Sequence, residues 1–208
     1  MTKVLITNIG LLASPQGISA LGGNAQAQVR KVNNAHVLAE EGRITHVGTG
    51  QIGRGLTKGA IVVDAGGNLV TPGLVDAHTH LVFGGWRAHE LPMKLAGVPY
   101  LQILAEGGGI LSTVRETRAA SPEALKQKAQ AALGEMLCLG TTTCEAKSGY
   151  GLNLKDEIKQ LEVAQALNDI QPVHLVSTLM AAHAVPEECR DDRRAYIDLV
   201  IEEIIPAA

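Results

Sequence analysis

Aromatic side chains are scarce in this chain, with one Trp, three Tyr and one Phe in 208 residues. So few rings leave little on which unpaired bases could stack. A formal net charge of -3 supplies no basic stripe for phosphates, so nucleic acid is not expected as a partner. Cysteine is sparse as well. Cys138, Cys144 and Cys189 are an odd number without CxxC spacing, which excludes a disulfide framework and a zinc ribbon and reads as reduced thiols. No run of about 18 apolar residues occurs, so no membrane-spanning helix is expected. The opening Met-Thr-Lys-Val-Leu-Ile-Thr-Asn lacks the basic and long apolar regions of a secretory signal. These absences together predict a cytoplasmic protein with neither membrane nor nucleic acid as partner. There is no block of like charge and no internal repeat, and the Gly/Ala/Gln stretch from Leu21 to Gln28 reads as a surface loop.

What is present is enough chain for one substantial domain, or for a small domain joined to part of a larger one. Short strands are predicted at Lys3 to Thr7, Ala35 to Ala39, Ile44 to Val47 and Ile61 to Asp64, with Glu40-Glu41-Gly42-Arg43 as a hairpin turn. After the Asp64-Ala-Gly-Gly-Asn68 turn, strand-like and helix-like segments alternate, which sets a domain boundary between 68 and 69. The later strands are Leu69 to His80, Thr141 to Lys147 and Val173 to Met180, apolar or β-branched as buried parallel strands are. Ser121 as N-cap and Pro122 at the first helical position open a helix whose face is Leu125, Ala129, Ala132, Leu133, Met136 and Leu137, with Gly140 beyond its end. Asn153 opens a second, with Leu154, Ile158, Leu161, Ala164 and Leu167 in phase. Ile197, Val200, Ile201 and Ile204 mark a third. This α/β order suits a doubly wound sheet or a (β/α)8 barrel, and both place ligands at the C-terminal ends of the strands. A closed barrel takes about 250 residues, so only a first portion of one is expected here.

The segment Leu74-Val-Asp-Ala-His-Thr-His80 alternates sides as a strand, so His78 and His80 project together at its end, just before Phe83-Gly84-Gly85. A catalytic zinc site uses three protein ligands and an open position for water, whose pKa falls towards about 7. The strand supplies two such ligands. Taken alone, the pair also fits two polar residues at a strand end.

The Pro72-Gly73-Leu-Val-Asp76 lead-in, the strand and the small β segment before it resemble the amidohydrolase superfamily, in which this HxH closes the first barrel strand. Further along, His80-Leu-Val-Phe-Gly-Gly-Trp-Arg87, Glu106-Gly-Gly-Gly-Ile-Leu-Ser-Thr-Val-Arg115, Glu145-Ala-Lys-Ser-Gly-Tyr-Gly151 and Ala181-Ala-His-Ala-Val-Pro186 resemble the imidazolonepropionase family, in consistent order from about residue 35 onwards. The resemblance implies the first three β/α units of a metal-dependent hydrolase (β/α)8 barrel at 69–208, preceded by part of a small β-sandwich domain at 1–68. It also implies one divalent or trivalent metal ion, Zn or Fe, a small-molecule substrate, and a homodimer for the complete enzyme. The family opens the ring of 4-imidazolone-5-propanoate to N-formimidoyl-L-glutamate in histidine degradation.

On this resemblance His78 and His80 are metal ligands, and Arg87, Tyr100, Tyr150 and His183 bind substrate. No catalytic residue is assigned within the segment. A guanidinium fork at Arg87 suits the substrate's carboxylate tail. Tyr150 sits between two glycines after the second strand, and His183 follows the third, placed to hydrogen-bond or polarise the ring carbonyl. Where the family has an aliphatic or polar residue before this arginine, the chain has Trp86. Lys147 reads as an ion-pairing or orienting residue, not a metal-bridging lysine. His89 and Glu90 are expected to face solvent, and Gly107-Gly-Gly109 to form a close turn beside the entrance, not a phosphate loop. In the family a further histidine and aspartate ligand and the water-activating groups come from strands past residue 208. The isolated chain is therefore expected to be inactive and to expose the flanks of its strands. The alternatives are another amidohydrolase, such as a guanine or cytosine deaminase or a dihydroorotase, or a non-enzymatic fragment.

Overall fold

The structure is a computed structural model describing residues 2–17 and 19–208, and the chain forms two compact units, one ending at Pro72 and one running from Gly73 to Ala208.

In the first unit, β1 (Lys3–Pro15), β2 (Val29–Glu40) and β3 (Arg43–Thr49) form an antiparallel meander. The turn joining β2 to β3 has φ of 50° at Glu41 and 76° at Gly42, the pair of positive values that a tight hairpin matched to strand twist requires. Strand β1 runs well past Thr7. Asn8 takes a left-handed φ of 52° and the register shifts between Ile6 and Ile9, so pairing with β2 resumes beyond the bulge. After the short helix α1 (Arg54–Thr57), β4 (Ile61–Asp64) and β5 (Leu69–Val70) add in parallel to the free side of β1. Ile9, Ala35 and Val37 are buried against Ile6, Leu12, Val32 and Val70. An open apolar groove of about 650 Å³ runs over Ile6, Leu12, Val32, Val37 and Val47. The unit is one sheet, a portion of a sandwich.

The run Leu69–His80, expected as one strand, is two. Leu69–Val70 pairs with β1 in the first sheet, and β6 (Leu74–Thr79) belongs to the second. Pro72 separates them, since it has no N–H to donate to a ladder and Gly73 beside it gives no side chain to pack.

The second unit is built on the parallel sheet β6-β7-β8, with β7 at Thr141–Lys147 and β8 at His174–Thr178. Three short helices, α2 (Glu90–Leu95), α3 (Tyr100–Ala105) and α4 (Gly109–Ala119), precede α5 (Pro122–Cys138) in the crossover from β6 to β7. Ser121 caps α5 by accepting from Ala124 N–H at 3.2 Å. Asn153 caps α6 (Leu154–Asn168) by accepting from Asp156 N–H at 2.8 Å. Leu125, Ala129 and Leu133 of α5 and Val163, Ala164 and Leu167 of α6 bury against Cys144 and Ala146 of β7 and Leu175 of β8. Alternation puts Glu145 and Lys147 on the other face of β7, where they form an ion pair at 2.6 Å. The last helical stretch starts as α7 (Arg193–Leu199) and continues as a π-turn at Val200–Ile204. It packs through Tyr196 and Ile204, while Ile197 and Ile201 remain exposed. This β/α order is that of a partial barrel. No helix among the described residues is long and apolar enough to cross a membrane.

Candidate functional site

The C-terminal ends of the three parallel strands carry His78, His80, Tyr150 and His183. On β6 the imidazoles of His78 and of His80, just beyond the strand, lie 6.1 Å apart, edge to face at 66°. Asp76, two residues earlier on the same side, accepts the His78 N–H at 3.2 Å. His183 sits on the short turn Ala181–His183 after β8 and stacks on His80 at 4.5 Å, nearly parallel at 10°. The Tyr150 ring, in the turn after β7, is 4.8 Å from His80 and 5.4 Å from His183. His80, Tyr150 and Arg87 share a cavity of about 330 Å³ with Phe83, Trp86, Ala88 and Thr113. Tyr100 is exposed on α3 and is not among the residues lining that cavity.

Burial holds the His80 imidazole below the usual histidine range, and His183, His78 and Lys147 push the same way against the backbone of Ser148. His80 is thereby kept neutral, the state in which imidazole ligates a metal. Its Nδ1 is buried without a hydrogen-bond partner, a cost that a ligand would remove. The His80 imidazole thus fits the role of a metal donor, with the His78 ring beside it at 6.1 Å as the second nitrogen donor on offer. Among the described residues no group of three or more His, Cys, Asp or Glu is arranged to hold a metal. Burial also pushes the Tyr150 hydroxyl up, opposed by the Arg87 guanidinium, so it stays a hydrogen-bond donor at neutral pH. The Nδ1 of His183 lies 3.1 Å from the Gly149 carbonyl oxygen, which can only accept, so Nδ1 carries the hydrogen of this bond.

The Gly149-Tyr150-Gly151 turn is shaped by two polar residues of α6 that the sequence reading did not single out. The carboxylate of Glu157 accepts three backbone N–H groups, from Gly149 at 3.0 Å, Gly151 at 2.9 Å and Leu152 at 2.8 Å. Gln160 accepts from Tyr150 N–H at 3.1 Å and donates to the Val82 carbonyl at 2.6 Å, tying the tyrosine turn to the loop after β6. Both flanking glycines are required. At Gly149, φ is 107° and a Cβ would lie 2.8 Å from His183 Cβ; at Gly151 a Cβ would collide with the Glu157 backbone. The missed signal is a phase. Glu157, Gln160, Ala164 and Leu167 recur at helical spacing, and it is this face of α6 that is buried, while Leu154, Ile158 and Leu161 are only partly so.

Glu90 also differs from expectation. His89 is exposed, but Glu90 opens α2 at 1% exposure, accepting from Gly109 N–H at 2.6 Å, with Lys94 at 3.4 Å and Arg87 at 4.0 Å. Burial alone would raise its carboxyl, yet the Gly109 N–H, Arg87 and Lys94 outweigh it and hold it below the ordinary carboxylate range. A buried carboxylate is tolerated because these partners surround it. The Gly107–Gly109 turn thus serves Glu90, since Gly109 at φ 71° presents its N–H to the acid. On β7, the hydrogen bond from Lys147 and that from Thr178 at 2.7 Å keep the Glu145 carboxyl low, so Lys147 is an ion-pairing residue.

No protein-family model matches the chain. Among curated proteins, an imidazolonepropionase from Fusobacterium nucleatum is 50% identical over 200 residues, covering 96% of this chain and 48% of the relative. One from Alkaliphilus metalliredigens is 46% identical over 210 residues, covering 100% and 50%. Among solved structures, a triazine hydrolase from Arthrobacter aurescens superposes with a TM-score of 0.57 at 21% identity, over 86% of this chain and 36% of that one. An atrazine chlorohydrolase from the same organism, complexed with zinc and atraton, gives 0.52 at 16% identity, over 84% and 35%. At 21% identity or less these structural likenesses show the fold alone, a partial α/β barrel preceded by a small sheet. By sequence the chain is similar to imidazolonepropionases over nearly all of its own length, and it spans about half the length of the curated relatives it matches.

Proposed function

We propose that the chain contributes part of the active site of a hydrolase that opens the ring of 4-imidazolone-5-propanoate to N-formimidoyl-L-glutamate. The observation that carries this reading is the single cavity shared by His80, Arg87 and Tyr150. It joins a metal-facing imidazole, a carboxylate-binding guanidinium and a phenol at the ends of adjacent strands. Arg87 holds the propanoate tail, which fixes the ring between Tyr150 and the His80–His183 stack. The Tyr150 hydroxyl donates to the ring, and His183, stacked on His80, hydrogen-bonds or polarises the ring carbonyl. His78 and His80 would hold one Zn or Fe ion, which when bound supplies Lewis acidity and lowers the pKa of water. In the net reaction a water oxygen ends in the new carboxylate, the carbonyl C–N bond breaks, and the departing nitrogen keeps a proton in the formimidoyl group. The unit ending at Pro72 serves as part of a small sandwich domain, and the unit from Gly73 to Ala208 as the first part of the barrel. The complete enzyme acts as a cytoplasmic homodimer, and three free cysteines are compatible with a reducing compartment.

The test is Arg87→Ala in the complete enzyme. Loss of a charged bidentate contact predicts a fall in kcat/KM of roughly 100-fold, mostly through KM. An unchanged kcat/KM would remove the carboxylate assignment.

A further inference from the structure

The loop that follows His80 carries Phe83, Trp86 and Arg87 to the cavity, and one lysine outside the cavity grips it from α5. The Lys128 ammonium lies 3.4 Å from the centre of the Phe83 ring and 4.0 Å from that of Trp86, two rings set edge to face at 86°. It also donates to the Gly85 carbonyl oxygen. Phe83, Gly85 and Trp86 of the loop thus converge on one charge.

We propose that Lys128 is the positioning residue of the Phe83–Arg87 loop: its ammonium, seated on both aromatic faces and the Gly85 carbonyl, fixes Trp86 as a wall of the cavity and Arg87 at its rim, and loss of that charge releases the loop. The functional half of this inference rests on Arg87 being the carboxylate-holding group; the hold of Lys128 on Trp86 does not.

Other anchors explain why the charge matters at this end of the loop. Gln160 fixes Val82, and the Gly84 N–H donates to Thr117 Oγ1 at 2.9 Å, so the first part is pinned by neutral hydrogen bonds. Beyond Gly85, Trp86 is 73% exposed and Arg87 is met by Glu90 only at 4.0 Å. Lys128 is what crosses to this outer part. A ring face attracts a cation through its quadrupole and offers nothing comparable to a neutral amine. The groups around Lys128 leave its charge without a tight counter-ion. On its own helix the positions one turn away are Ala124, Leu125, Ala131 and Ala132. The charged neighbours of the loop it grips are Arg87, on the loop itself, and Glu116 on α4, which lies against Gly85. Burial pushes the Lys128 amine down to about 8, and a folded-state pKa below the ordinary lysine value means the ammonium is present below that pH and lost as pH rises through it.

Trp86 is the single tryptophan of the chain, so its emission reports this loop alone. The experiment records Trp86 emission and anisotropy of the protein at about pH 6.5 and 9.5, with far-UV circular dichroism as the check on folding. The variants are Lys128→Met, which keeps the stem without the charge, and Lys128→Arg, which keeps the charge throughout this range. The inference predicts that wild-type anisotropy falls and its emission changes between the two pH values. Lys128→Met should show the high-pH signal already at pH 6.5, and Lys128→Arg the low-pH signal at both. A Lys128→Met spectrum and anisotropy matching wild type at pH 6.5, or the same pH transition in that variant, would overturn it. If the Trp86 signals behave as stated while Arg87→Ala leaves kcat/KM unchanged, the clamp stands and the carboxylate reading fails.

Discussion

Replacing Glu157 with leucine is expected to destabilise the second unit by about 3 kcal/mol or more, because three backbone N–H groups lose a charged acceptor at once. The carboxylate is 0% exposed, so water cannot take its place without opening the turn. The positive φ of 107° at Gly149 and 50° at Leu152 would then lack the contacts that hold them. Glu157→Gln should lose less, roughly 1–2 kcal/mol, since the amide oxygen still accepts while its NH2 faces a donor. Urea denaturation of the three proteins gives the measurement, and a leucine variant with the wild-type midpoint would show that the Tyr150 turn is held by something else. Loss of this turn also reaches the site, because Tyr150 leaves its place 4.8 Å from His80.

Removing His80 is expected to have the largest effect on metal content. Residues that merely orient a ligand cost about 10–100-fold in metal affinity, so loss of a ligand should cost roughly 100-fold or more. The complete protein bearing His80→Ala, and likewise His78→Ala, should therefore be purified with far less bound metal than wild type. His183→Ala removes the ring stacked at 4.5 Å on His80 but, in this reading, no ligand. It should retain metal and lose turnover. Metal analysis by plasma mass spectrometry separates the two classes, and wild-type metal content in His80→Ala would contradict the ligand assignment.

How far the sequence carried depends on what kind of force places each residue. The caps at Ser121 and Asn153 and the strand Thr141–Lys147 were legible because local chemistry decides them. The pair His78 and His80 was legible because a strand's alternation alone sets both on one side. The joining of Arg87, Tyr150 and His80 in one cavity is tertiary, and only the family resemblance pointed to it. Glu90, Glu157 and Gln160 were illegible for one reason. A polar residue is read as exposed unless its buried partners are known, and those partners are backbone N–H and carbonyl groups that sequence does not display. The break at Pro72-Gly73 was visible in the sequence but outweighed by the apolar run around it, whereas the ladder tolerates no missing donor.

The most direct test of the central claim is to incubate the complete, metal-loaded protein with 4-imidazolone-5-propanoate and identify the product by mass spectrometry. The account predicts that the imidazolone absorbance disappears and that N-formimidoyl-glutamate appears in equal amount, with no ammonia released. An imidazolone left intact beside active deamination of a purine or pyrimidine would contradict it.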